Sequence, residues 1–153
     1  FRFMYAYYLT LGKGFETEIG YRYNQQEDIK LSTGIVAFGK YFKNNWINFR
    51  TSFLVSEPKL YPSFSSNFRH YYNTKYDYFS FTAGYGTSPD ERQTLTQFQD
   101  RIALTSYRFG AGFSKLLAKK YIIGFNTSFN NQEYYPEKFQ NEYNFSIDLT
   151  YLF

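Results

Sequence analysis

Glu16, Glu18 and Arg22 lie two and four residues apart in a run that alternates polar and apolar residues. Two-residue spacing puts side chains on one face of an extended chain. Lys30, Arg50, Arg108 and Asp148 occupy similar places in other runs and read as members of the same polar, inward face. Such a set can do one of two things. Solvated, it is a charged constriction that filters solutes by sign, with Arg22, Arg50 and Arg108 giving a weak preference for anions. Paired, it is an internal salt-bridge network that plugs a narrow interior, because buried charges must be paired or solvated.

Other chemistry has little to work with. Cysteine is absent and histidine occurs once, at position 70, so a thiolate site, a Cys nucleophile and a His-based metal cluster are excluded within this chain. His70 would need a nucleophile or carboxylate within hydrogen-bond reach to act as a base. Its register with Phe64, Phe68 and Tyr72 points to an interfacial residue instead. Asp90, Glu91 and Asp100 could hold a divalent cation against lipopolysaccharide phosphates, or form a solvated acidic loop. Gly84-Tyr85-Gly86 is followed by no helix and therefore cradles no phosphate. The expectation is no catalytic residue, no metal and no cofactor. The +4 net charge is spread along the chain without a Lys/Arg run, so nucleic acid is not an expected partner.

The elements that position these residues follow from period-2 alternation. Phe15, Thr17, Ile19, Tyr21 and Tyr23 alternate with Glu16, Glu18, Gly20, Arg22 and Asn24. Ile47, Phe49, Thr51, Phe53 and Val55 alternate with Asn48, Arg50, Ser52 and Leu54. The cleanest run is the last, Tyr143 to Phe153. Nine segments of this kind are expected, at 1–11, 14–24, 28–39, 45–56, 63–72, 76–86, 101–114, 120–130 and 141–153. Each is near the ~10 residues of a membrane-spanning strand. Within 28–39, Lys30, Ser32, Gly34 and Val36 are taken as the polar, inward side.

Aromatic residues make up 25% of the chain, yet mean hydropathy is −0.54. Two opposite faces explain both values. One face is Phe, Tyr, Ile and Leu without mid-strand charge, as hydrocarbon requires, since an ionised group at mid-depth costs about 2–4 kcal/mol. The other is rich in Gly, Ser, Thr and Asn, which suit the inside of a narrow barrel. A soluble sandwich would instead show Lys and Glu on its polar face. Tyrosines near strand ends fit the aromatic girdles of a membrane barrel. The fold class expected is all-β: an antiparallel transmembrane β-barrel of the outer membrane of a Gram-negative bacterium, porin-like in outline. Ile147, Leu149, Tyr151 and Phe153 share a face of the last segment and resemble the C-terminal signal that barrel-assembly machinery recognises.

Two stretches carry a family resemblance. GYRYNQQEDIKLSTGIVAFGKYFKNNWINFRTSF (Gly20 to Phe53) resembles the central hairpins of YaiO-family outer-membrane β-barrels, and FSFTAGYGTSPDE (Phe79 to Glu91) resembles a later strand and loop of that family. The resemblance implies no catalytic residues. It implies that in some bacteria the barrel follows tetratricopeptide repeats. Residues 1–153 read as one barrel domain lacking its first strand or strands. The visible segments number nine, bacterial barrels of one chain have even strand numbers, and the whole then has about 10–12. An 8-stranded barrel follows if one segment is split in error.

The functional expectation is a non-enzymatic barrel, either a passive pore or a membrane conduit of an envelope or polysaccharide-export assembly. The alternatives are a plugged docking barrel that conducts nothing, and a lipid- or protein-modifying enzyme. Expected partners are outer-membrane lipids, lipopolysaccharide, the assembly machinery, and envelope proteins reached through loop 87–100.

Overall fold

Alternating residues need two solvents, and the chain meets that need with antiparallel strands alone. The computed structural model describes residues 1–26, 29–56, 59–86, 105–135 and 137–152. Among these residues nine strands form one sheet in sequence order: β1 (Arg2–Gly12), β2 (Phe15–Gln26), β3 (Ile29–Phe42), β4 (Asn45–Ser56), β5 (Lys59–Tyr71), β6 (Tyr78–Gly86), β7 (Ser106–Leu117), β8 (Tyr121–Tyr135) and β9 (Lys138–Tyr151). None of the described residues is helical.

The register separates the two faces. Ile19, Val36, Thr51, Phe64, Tyr85 and Tyr107 form one cross-strand row. Gly20, Ile35, Ser52 and Ser63 form the adjacent row on the other face. The first face is the outer one. Phe145 is 70% exposed, Ile147 62% and Leu149 71%, and Phe49, Phe81 and Phe109 are exposed beside them. A contiguous apolar surface of this extent marks a lipid contact rather than a water contact.

Rings gather at both ends of the outer face. Near the short turns, Phe79 lies 5.3 Å from Tyr72 and 5.1 Å from Phe113, and Phe113 stacks on Phe125 at 6.4 Å. Near the other end, Tyr85 meets Tyr107 at 5.1 Å and Phe129 meets Tyr143 at 5.2 Å. This is the girdle pattern of a barrel wall.

The hairpin turns at one end are tight. Gly14 has φ +80°, and a Cβ there would lie 2.5 Å from the Tyr41 carbonyl oxygen, so the first turn needs a glycine. Lys13, Lys43 and Lys119 also take positive φ, at 52°, 52° and 58°. That conformation costs roughly 1–2 kcal/mol for an ordinary L-residue. Residue 152 returns to the same end, where its amide donates to the Lys120 carbonyl at 2.7 Å.

The connection between β5 and β6 is held by one carboxylate. Asp77 is only 1% exposed. It accepts from the Thr74 hydroxyl and, at 3.0 Å, from the Thr74 amide. It also accepts from Asn73 Nδ2 at 3.3 Å and from the Leu116 amide at 2.8 Å, which ties the turn to β7. The Thr74 hydroxyl and then the Leu116 amide hold the Asp77 carboxyl below its ordinary value of 3.8. A depressed folded value means the stabilisation is complete above about pH 4 and is lost as pH falls through the folded value. Asp77→Asn should therefore lower the urea midpoint at pH 7, and the gap to the wild type should shrink below pH 4. A gap that stays constant into strong acid would contradict this role.

Several boundaries differ from the sequence expectation. β5 begins at Lys59, not 63, and includes Pro62. Gly86, the last described residue of β6, pairs with Ser63, and among the described residues Pro62 pairs only with Phe53 of β4. Residues 131–135 and 138–140 are strand rather than loop: Asn131 pairs with Asn141, joined by a 2.7 Å side-chain hydrogen bond, and Gln132 with Gln140. Polar composition suggested a loop, but a β-ladder continues beyond the apolar band as long as its backbone groups pair. Loop residues 87–100, with Asp90, Glu91 and Asp100, lie outside the described residues, as do 101–104 at the expected start of the seventh strand.

β1 and β9 are the two edges. Both run in the same direction, and among the described residues they do not pair with each other.

Candidate functional site

The concave face carries a charged row that crosses all nine strands. Tyr8, Glu18, Ala37, Arg50, Ser65, Gly84, Arg108, Asn130 and Glu142 are successive register partners. Small residues separate the long ones, which lets the arginines lie along the sheet. Arg50 Nη2 donates to Glu18 Oε1 over the buried Ala37, and the Tyr8 hydroxyl donates to the same carboxylate at 3.4 Å. β2 and β4 are thereby tied across β3.

The next row is almost uncharged. It runs through Thr10, Glu16, Gly39, Asn48, Asn67, Thr82, Gly110, Ser128 and Asn144. Glu16 leans over Gly39 and accepts from Trp46 Nε1 at 2.6 Å. A Cβ at Gly39 would sit 2.6 Å from Glu16 Cγ, so glycine here leaves Glu16 the room for this crossing. Gly39→Ala should displace Glu16, change the Trp46 emission spectrum and cost about 1–3 kcal/mol by overpacking. An unchanged spectrum in the folded variant would rule out the crossing.

Nearer the short turns, Arg69 lies between two rings, 5.1 Å from Trp46 and 5.0 Å from Tyr78. Trp46, Arg69 and Tyr78 carry no sequence signal that marks them as site residues. Their two-residue spacing from Asn48, Asn67 and Ser80 places them on the same inward face, but their meeting depends on the register of three strands.

Neighbouring cavities that share lining residues follow the charged row. One of about 230 Å³ is lined by β2 to β7 and includes Arg22, Arg50, Ser63, Ser65 and Arg108. One of about 400 Å³ includes Tyr8, Glu16, Glu18, Trp46 and Arg50. A third of about 200 Å³ joins Arg108 to Ser80, Gly112, Asn126 and Ser128. A single cavity bounded by six consecutive strands requires a curved sheet, so this is the inner face. Arg50 Nε is buried there with no hydrogen-bond partner among the described residues, and buried donors normally find water or an anion.

Glu16, Glu18, Arg22, Arg50, Arg108 and Asp148 share this face by register, and Asp148 accepts from Asn126 Nδ2 at 2.8 Å. Lys30 does not. It pairs with Gln25, on the outer face with Tyr21 and Tyr23. The expected orientation of the whole third segment is corrected with it. Leu31, Thr33, Ile35 and Ala37 of β3 are buried inward, and Val36 and Phe38 are exposed outward. The apolar inward side is covered by Arg50 and Glu18 arching over it. Lys30 and Ser32 stand at the outward end, where a polar head can reach the membrane boundary.

His70 is on the outer face, with Nδ1 2.8 Å from Asn45 Oδ1. Ile147, Leu149 and Tyr151 stand on the outer face of β9 opposite Phe125, Ile123 and Tyr121, and Phe153 lies outside the described residues.

With this two-faced wall in view, comparison with known families is decisive. The family model described as the YaiO membrane beta barrel domain matches residues 1–91, more than half of the chain. The chain belongs to the YaiO family. No curated protein and no solved structure matches it. The YaiO match spans β1 to β6, and β7 to β9 continue the same sheet. Membership places the chain in the bacterial outer membrane. Barrels there have short periplasmic turns and longer outer loops, and the longest connection in the sequence, residues 87–105, joins strand ends opposite those at 13–14, 43–44, 72–77 and 118–120.

Proposed function

We propose that this YaiO-family chain forms the wall of a non-enzymatic conduit, acting as a passive pore or as the membrane passage of an envelope or polysaccharide-export assembly. The observation that supports this reading is the polar groove along the inner face, where Arg22, Arg50 and Arg108 border one cavity that has no acidic residue in its lining among the described residues. Small side chains at Ser63, Ser65 and Gly84 leave that groove open. Closing an antiparallel sheet whose two edges run the same way takes an odd number of further strands.

A plugged docking barrel is the second reading. It is favoured by the Trp46–Arg69–Tyr78 stack and by the two carboxylate ties across β3. Its partners would dock through loop 87–100. An enzyme has the least support, since His70 faces outward beside an asparagine.

Conductance of the full-length protein in planar bilayers separates the first two. The conduit predicts discrete current steps and a non-zero reversal potential in a salt gradient. A folded, inserted barrel that stays silent overturns it and leaves the plugged reading.

A further inference from the structure

The end with the tight turns, which the conduit reading places in the periplasm, is basic in a way that the conduit does not use. Every tight connection there carries lysine. Lys13 lies between β1 and β2, and Lys40 and Lys43 border the turn between β3 and β4. Lys75 lies between β5 and β6, and Lys115, Lys119 and Lys120 surround the turn between β7 and β8. All are exposed, and among the described residues none is in an ion pair. The acid in these connections, Asp77, is buried and committed to its own turn.

Two features argue against a merely solvated surface. Lys13, Lys43 and Lys119 occupy left-handed backbone positions that Gly or Asn would take more easily, as do Ala118 and Glu137, so among the described residues three of the five ordinary residues in such positions are lysines at this one end. Two of the lysines that flank these turns also stand on the bilayer-facing side. Lys40 and Lys115 continue the outer rows of Val36–Phe38 and Phe109–Phe113, and Lys40 Nζ lies 4.3 Å over the Phe15 ring. A stem along apolar surface with its head at the boundary is the snorkelling arrangement.

We infer that these lysines form a collar that binds the anionic phospholipid headgroups of the periplasmic leaflet. A protein partner calls for a patch on one side. These charges recur at each hairpin around the arc and lie at strand ends, as contact with surrounding lipid demands. Polybasic segments at a bilayer surface act through such headgroups and within a Debye length.

The test compares the full-length protein in vesicles of phosphatidylcholine alone and of phosphatidylcholine with phosphatidylglycerol, followed by urea unfolding. At low salt the wild type should gain stability from phosphatidylglycerol, and molar salt should abolish the gain. The triple variant Lys13→Asn, Lys43→Asn, Lys119→Asn should lose most of it, about fivefold in the folded-to-unfolded ratio per lysine. Asn suits the left-handed turns, so this variant should fold at least as well in neutral lipid. Arginine at the same three positions should retain the gain. Equal dependence on phosphatidylglycerol in wild type and asparagine variant overturns the collar. So does a wild type indifferent to phosphatidylglycerol and salt, a result that stands even if the variant fails to fold. If that indifferent protein still needs its lysines in cells, an acidic periplasmic protein is the occupant instead.

Discussion

Arginine in place of Ala111 should prevent stable insertion, whereas arginine in place of Ser128 should be tolerated. Ala111 sits mid-strand in β7 on the outer face, paired with Phe81 and Thr127. Ser128 sits at a similar height on the inner face, between Gly110 and Asn144. Both changes add the same side chain to a small residue, so the difference isolates the face. An arginine at the bilayer midplane costs about 2–4 kcal/mol, while on the inner wall it meets water and polar groups. Urea titration of the protein folded into liposomes reads the difference directly. Equal costs at the two positions would mean that the exposed rings do not face hydrocarbon.

The second large effect concerns ion preference. Arg50→Gln and Arg108→Gln should each shift the reversal potential toward cations, and Glu18→Gln should shift it toward anions. A passing ion about 8 Å from a unit charge in water feels roughly 0.5 kcal/mol, with opposite sign for anion and cation. Losing one arginine then changes the anion-to-cation ratio about fivefold. The Arg50 effect should be the larger, because its loss also frees the Glu18 carboxylate. A reversal potential indifferent to all three changes would remove the charged row from the ion path, even if the protein conducts.

Much of the wall was legible because one signal dominates it. Strand residues alternate between two surroundings, so Phe145, Ile147 and Leu149 against Ser146 and Asp148 announce both strand and face. The polar side of β2 and β4 was equally readable, which brings Glu18 and Arg50 to one face before any contact is known.

What could not be read depends on neighbours. β3 has Leu, Thr, Ile and Ala on one side and Lys, Ser, Gly and Val on the other, so composition alone turned it the wrong way and took Lys30 with it. Its orientation is fixed by pairing with Glu18 and Arg50, a property of the sheet and not of the strand. The Trp46–Arg69–Tyr78 stack likewise needs the β4–β5–β6 register. The overhanging hairpin of β8 and β9 was hidden because Asn and Gln are common in loops, while backbone pairing is indifferent to them. Asp77 reads as an ordinary turn acid until its distant partner, the Leu116 amide, is seen.

The central claim is that one face of this sheet meets lipid and the other a polar interior. The absence of cysteine makes single-site spin labels clean probes of it. Labels placed one at a time from Tyr107 to Ser114 in the membrane-folded protein should alternate with period 2. Tyr107, Phe109, Ala111 and Phe113 should be open to oxygen dissolved in the bilayer. Arg108, Gly110, Gly112 and Ser114 should be shielded from it and more open to a water-soluble relaxer. The opposite phase, or uniform accessibility along β7, would contradict the barrel-wall account.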